Sequence, residues 1–190
     1  MRDIIQHELE ESAAVKKLVA SQLTGAIAKA AEMIIASYKT GGKLLLCGNG
    51  GSAADAQHIA GELVGRFLKE RKALSAIALT TDTSILTALA NDYNVEKIFA
   101  RQVEAHGKSG DVLLTISTSG NSSNVIQAVE AAKAIDVKTI GLLGKGGGKM
   151  KGMCDVEIII PSDNTQRIQE AHITIGHIIC GLVEKTLFGE

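Results

Sequence analysis

Residues 111–123 read Asp-Val-Leu-Leu-Thr-Ile-Ser-Thr-Ser-Gly-Asn-Ser-Ser. The first seven are a nearly continuous apolar run, the pattern of a strand buried on both faces of a parallel sheet. The remainder switches to hydroxyl residues around one glycine, the composition of a turn that opens a helix. A helical pattern from about Asn124 to Ile135 follows it.

The same unit recurs on either side. Upstream, Lys43–Cys47 is a short apolar run, followed by Gly48-Asn49-Gly50-Gly51-Ser52 and a helical stretch over Ala53–Phe67. Ser75–Leu79 is a candidate strand, and Asp82–Ala90 and Val95–Ala105 read as helical. Downstream, Lys138–Leu143 is the fourth strand and Gly144–Gly148 a loop. Val156–Ile160 is the fifth strand, stopped by Pro161, and a long helix covers Thr165–Leu187. Two further helices, Ile4–Leu18 and Ile27–Tyr38, precede all of this, the second closed by Gly41-Gly42.

Strands that alternate with helices require right-handed crossovers and a parallel sheet between helical layers. The expected fold is α/β: a three-layer αβα sandwich on a five-stranded parallel sheet. Its strand order is flavodoxin-like, 2-1-3-4-5, with two extra N-terminal helices. With no internal repeat and no linker, residues 1–190 read as one domain with a helical extension over about residues 1–42. In that order strands one and three are neighbours at the switch point, so their two polar loops flank one crevice.

Composition narrows the chemistry. Lys and Arg total 20 and Asp and Glu 21, which excludes a strongly basic nucleic-acid binder. Aromatics are 3% with no Trp, which argues against a base-stacking surface. Twenty Gly beside one Pro suggests tight turns and close backbone approaches, not a low-complexity tail. Cys47, Cys154 and Cys180 are too few and too scattered for a disulfide framework and read as reduced thiols. The N-terminus lacks the apolar core of a signal peptide, and no run approaches the ~18 apolar residues of a membrane span. The expected location is cytoplasmic, with no membrane and no nucleic acid as partner.

Ser117-Thr118-Ser119-Gly120-Asn121-Ser122 combines several hydroxyls with the free N–H groups of a helix start, a setting suited to a phosphate monoester. Gly48-Asn49-Gly50-Gly51-Ser52 lacks a Walker lysine and GxGxxG spacing, so nucleotide chemistry is not expected there. Opposite the serine loop it suits the wall of a polar substrate site. Gly144-Lys145-Gly146-Gly147-Gly148-Lys149 reads as a solvated loop. His58 and Glu62, four apart, share a helix face, a spacing able to hold a metal or to pair a proton carrier with an orienting group. On the last helix Gln169 and His177 lie about 80° apart, within one broad stripe, with His177 set among Ile173, Ile175, Ile178 and Ile179.

Together these motifs, with Asn91-Asp92 and Arg167-Ile168-Gln169-Glu170, closely resemble the phosphoheptose isomerases, a branch of the sugar-isomerase (SIS) family. The resemblance covers nearly the whole chain. It implies conversion of sedoheptulose 7-phosphate to D-glycero-D-manno-heptose 7-phosphate, on the route to heptose in bacterial lipopolysaccharide or capsule. Carried over by motif, Ser117, Thr118, Ser119 and Ser122 hold the phosphate. Asn49, Gly50, Gly51, Asn91, Asp92, Glu62 and Gln169 line the sugar site. Glu62 is the base between C1 and C2, and His177 its acid/base partner. His58, Glu62, Gln169 and His177 match a zinc site, one ion per subunit, and no nucleotide cofactor is implied. The family is a homotetramer with its sites at subunit contacts. Two departures stand out: Gln166 where an acidic residue is expected, and Ala53-Ala54-Asp55 after Ser52. Two other readings remain: a non-catalytic SIS protein that senses a sugar phosphate or binds a replication initiator, and an SIS isomerase for another sugar phosphate.

Overall fold

A computed structural model describes residues 1–189. Two helices, α1 (Arg2–Gln22) and α2 (Thr24–Lys39), lead in order into β1 (Leu44–Gly48), α3 (Gly51–Val64), β2 (Ala76–Ala78) and α4 (Thr83–Asp92). After these come α5 (Ala100–His106), β3 (Val112–Ser117), α6 (Ser123–Ala134), β4 (Lys138–Leu143), β5 (Val156–Ile159) and α7 (Thr165–Phe188). The sheet is parallel throughout in the order β2-β1-β3-β4-β5, as the alternation of strands and helices required.

The central strands alternate between two buried faces. Leu44 and Leu46 of β1, with Leu114 and Ile116 of β3, join a core beneath α2, α3 and α7. Leu45 and Cys47 of β1, with Leu113 of β3, join a second core with Phe99, Val103, Val125 and Val129 of the opposite layer. α3 and α6 therefore leave neighbouring strands towards opposite faces, which opens a crevice between their N-termini. Burial among apolar neighbours pushes the Cys47 thiol far above its usual pKa, as expected of an inert, reduced cysteine.

Local chemistry sets the element ends. Gly41 closes α2 in a left-handed conformation (φ 80°). Its N–H donates to Tyr38 O at 3.1 Å and that of Gly42 to Ser37 O at 2.9 Å, a Schellman closure. Asp111, just ahead of β3, is fully buried and accepts the Lys43 and Lys108 N–H groups and the Lys43 Nζ at 2.5 Å. The segment expected as one helix from Val95 to Ala105 is instead a 3-10 turn over Val95–Lys97 followed by α5. Asn94 accepts from the Lys97 N–H at 3.1 Å, and this local cap starts a turn where periodicity suggested continuation.

α7 is the keel of one layer, packing on α1, α2 and α3. Arg167 ties it to α1 through Glu8 Oε2 at 2.8 Å and Glu11 Oε2 at 3.6 Å. Near its other end the carboxylate of Glu184, only 2% exposed, accepts the N–H groups of Phe67, Leu68 and Lys69 and an ion pair from Arg71. Burial raises the Glu184 pKa, but these four donors outweigh it and hold the group below its usual range. Among the described residues no single helix is long and apolar enough to cross a membrane, and α1 and α2 meet at a 72° bend.

His172, fully buried on α7, has its Nε2 3.1 Å from the Leu143 carbonyl. A carbonyl only accepts, so Nε2 carries the proton and Nδ1 is left bare and unpartnered. Burial depresses its pKa from 6.5 to about 4, with the Leu143 bond acting the other way. Below pH 6.5 the unfolded chain takes up a proton that the folded ring refuses, so stability falls as pH drops from 6.5 towards 4. Urea unfolding at fixed protein concentration is expected to give about 2 kcal/mol less stability at pH 5 than at pH 7.5 from this group. His172→Leu should flatten that slope. An unchanged slope in the variant assigns the proton to another residue.

Candidate active site

At the mouth of the crevice, β3 ends in Ser117 and the chain turns through Thr118-Ser119-Gly120-Asn121 to Ser122, the residue that precedes α6. The Ser117 hydroxyl lies 3.2 Å from that of Ser122 and accepts the Gly120 N–H at 3.1 Å. Ser119 Oγ accepts the Asn121 N–H at 3.1 Å. Ser122 makes no side-chain cap bond to α6, so its hydroxyl does not serve the role that helix capping alone would give it. The loop thus brings the Ser117 and Ser122 hydroxyls together at the start of α6.

Across the crevice Gly48-Asn49-Gly50 leads into α3, with Gly50 at φ 55°. Asn49 and Asn124 exchange two amide hydrogen bonds, each 2.9 Å, which tie the first loop to the start of α6. A side chain at Gly51 would strike the amide of Gln169 at 2.5 Å, so α7 closes over the first loop at that glycine.

α3 carries His58 and Glu62 along one face, and α7 brings His177 to meet them. His58 Nε2 stands 2.8 Å from His177 Nε2 and 3.2 Å from Glu62 Oε1, and one ligand atom from each residue lies within 4.8 Å of the others. The two rings meet edge-to-face with centroids 5.0 Å apart, and Phe67 stacks on His177 at 5.9 Å. Gly176, next to His177, allows the approach: a Cβ there would press on Ile59 Cδ1 at 2.7 Å, next to His58.

This geometry fits a divalent cation. Three lone-pair atoms facing one another repel unless a proton or a cation sits between them. Ligands about 2.1 Å from a tetrahedral zinc stand about 3.4 Å apart, near the 3.2 Å between His58 and Glu62 and wider than the 2.8 Å between the two imidazoles. Gln169 stands two turns before His177, about 12 Å along the helix axis, with its amide against Gly51.

The sequence signals omitted Asp55. It sits half-buried on α3 three residues before His58, with Oδ2 buried and unpartnered. Burial raises its pKa, and the His58 and His177 imidazoles act in the opposite direction. The spacing of Asp55, His58 and Glu62 on one helix face was the available signal. Asn91 and Asp92 lie apart from this cluster, in the exposed last turn of α4, where the Asn91 amide donates to Asp92 Oδ1 at 2.9 Å. Gln166, where an acidic residue was expected, is exposed, and its N–H donates to Asn164 Oδ1 at 3.0 Å.

An SIS domain family profile matches residues 9–144. Phosphoheptose isomerase from Clostridium acetobutylicum is 54% identical over 192 residues, covering 100% of this chain and 98% of that protein. Among solved structures, phosphoheptose isomerase from Neisseria gonorrhoeae superposes with a TM-score of 0.92 at 44% identity, covering 97% of this chain and 98% of that one. The enzyme from Francisella tularensis gives 0.93 at 42% identity, covering 96% and 97%. With a two-loop crevice, a converging His–Glu–His cluster and full-length relatives of this kind, the chain belongs to the phosphoheptose isomerases of the SIS-domain family.

Proposed function

We propose that this protein is an aldose–ketose isomerase that converts sedoheptulose 7-phosphate to D-glycero-D-manno-heptose 7-phosphate, in bacterial heptose biosynthesis. The observation that carries the reading is the meeting of Glu62 and His177, from helices more than a hundred residues apart. A sensor or scaffold of this fold has no need of that pair.

The reaction moves one proton from C1 to C2 and a second between the two oxygens, through an enediol, with no net redox change. Ser117, Thr118, Ser119 and Ser122 hold the phosphate through hydroxyl and N–H donors. Asn49, Gly50, Gly51, Asn91, Asp92 and Gln169 line the sugar. Glu62 takes the C1 proton and returns it to C2. His177 gives a proton to the C2 oxygen as the enediol forms, and takes the C1 hydroxyl proton back as Glu62 delivers its proton to C2, so both groups end as they began. Each transfer needs a group within hydrogen-bond reach of the reacting atom, which a half-buried carboxylate and imidazole on facing helices supply. His58, Glu62, Gln169 and His177 would hold zinc, and such an ion supplies Lewis acidity at the sugar oxygens. A carboxylate has two oxygens, so Glu62 can face His58 with one and the substrate with the other.

We read the chain as a single domain with an N-terminal helical extension, working as a cytoplasmic homotetramer. Exposed apolar residues support assembly at the site: Val64, Leu68, Ile178 and Leu182 surround the His–Glu–His cluster in sequence and are 39–73% exposed in the single chain. α4 buries no residue at all. Such surface is usual at contacts between copies.

Incubation with sedoheptulose 7-phosphate should yield the aldose product. Glu62→Gln and His177→Gln should each lower kcat by about 10²–10⁴-fold. No product from the parent protein overturns the reaction assigned, and full activity in both variants overturns the roles. Elemental analysis should find zinc near one per chain. Chelation should remove it and the activity together, and zinc should restore both. Full activity in metal-free protein excludes a catalytic role for the ion.

A further inference from the structure

The glycine-rich segment after β4, which its composition marked as a plain surface loop, lies directly against the serine loop. From Lys145 to Gly148 every residue has positive φ: 48°, 72°, 91° and 54°. Four left-handed residues in succession are unfavourable for any but glycine, and Lys145 has a side chain. Such a path persists only where its surroundings hold it, and strain of this kind clusters where geometry matters to function.

The surroundings here are the serine loop. The Met150 N–H donates to Gly120 O at 3.0 Å, and the Lys149 N–H to Asn121 Oδ1 at 3.0 Å. The backbones touch so closely that side chains are excluded on both sides. A Cβ on Gly120 would overlap the Gly147 carbonyl, and a Cβ on Gly144 would stand 2.7 Å from Thr118 O. A Cβ on Gly148 would overlap Ser119 O and stand 2.8 Å from both Gly120 O and Asn121 Oδ1. The segment thus meets residues 118 to 121 in turn.

We propose that the left-handed strap Lys145–Gly148 is a positioning element for substrate phosphate, acting as a rigid backing that fixes residues 118–121. This rests on the reading of residues 117–122 as the phosphate site. The strap's residues act through the loop and need not touch the ligand. Gly148, Gly120 and Asn121 are the positions where the two segments lock together.

Gly152, outside the strap, supplies the control. It shares the left-handed φ, but a Cβ there meets nothing within 4 Å. Gly148→Ala is expected to raise KM for sedoheptulose 7-phosphate, and the inhibition constant of inorganic phosphate, by about tenfold, with kcat changed less than threefold. Gly152→Ala should leave both constants within about twofold of the parent. Thermal unfolding of both variants tracks general loss of structure. Should Gly148→Ala fail to fold, Asn121→Ala removes the acceptor of the Lys149 N–H without added bulk and is expected to shift the same two constants. Equal constants for Gly148→Ala and Gly152→Ala, or a fall in kcat with KM unmoved, overturn the strap's role. A parent protein that inorganic phosphate neither binds nor inhibits overturns the phosphate reading of the loop itself, and the strap's role with it.

Discussion

The approach of α7 to α3 is the constraint on which the site depends. His58 and Glu62 lie one turn apart on α3 and His177 on α7, and only the packing of the two helices brings all three polar groups within 4.8 Å. That packing has a sequence basis. Gly176 presents no side chain to Ile59, so the helices close until the histidines beside those residues touch. Glu184, two turns beyond His177, then fastens the chain that leaves α3 by taking three backbone N–H groups and Arg71. Arg71 in turn donates to the Glu62 and Leu63 carbonyls at the end of α3. A buried ion pair contributes little net stability, because desolvation offsets much of its attraction. Its directional bonds do fix one alignment, and an acid/base pair requires that more than it requires stability.

The polar cluster carries an electrostatic tension that packing alone does not resolve. Two imidazole nitrogens 2.8 Å apart share at most one proton between them, and the Glu62 oxygen adds negative charge at 3.2 Å from one of them. Asp55 lies nearby with a buried, unpartnered oxygen. Buried polar atoms without partners are uncommon in native proteins, and those that persist tend to mark sites completed by something else. A cation at the centre would satisfy the three facing atoms at once, which is why the same residues serve both a metal reading and a proton-transfer reading.

Much of this was legible in the chain. β1 and β3 are apolar along their length because helices cover both faces of the sheet, and that pattern gave strand, layer and order together. The polar loops after them were visible as abrupt changes of composition, and His58 with Glu62 as an i,i+4 pair. Other features were hidden because they depend on partners far away in sequence. The Asn49–Asn124 amide pair joins residues 75 apart. The break between Val95–Lys97 and α5 follows from one side-chain cap that competes with helix propensity. The strap is a surface loop, as its composition suggests, but its contact with the serine loop is hidden, because a run of glycines specifies permitted backbone angles and only the fold selects among them.

The strap and the serine loop answer one physical question. Residues 117–124 hold no charged side chain, so an anion there is met by hydroxyls, backbone N–H groups and the positive end of α6. A lysine or arginine attracts a phosphate from many orientations, because its charge acts over distance. Neutral donors act only at hydrogen-bond length and in line, so their strength falls steeply when the loop drifts by a fraction of an ångström. A site built from them therefore depends on rigidity where a charged site would depend on field. The reciprocal Asn pair on one side and the left-handed backbone on the other supply that rigidity from two directions. On this view the glycines of the strap matter for what they exclude: any side chain at the contact would move the donors off line.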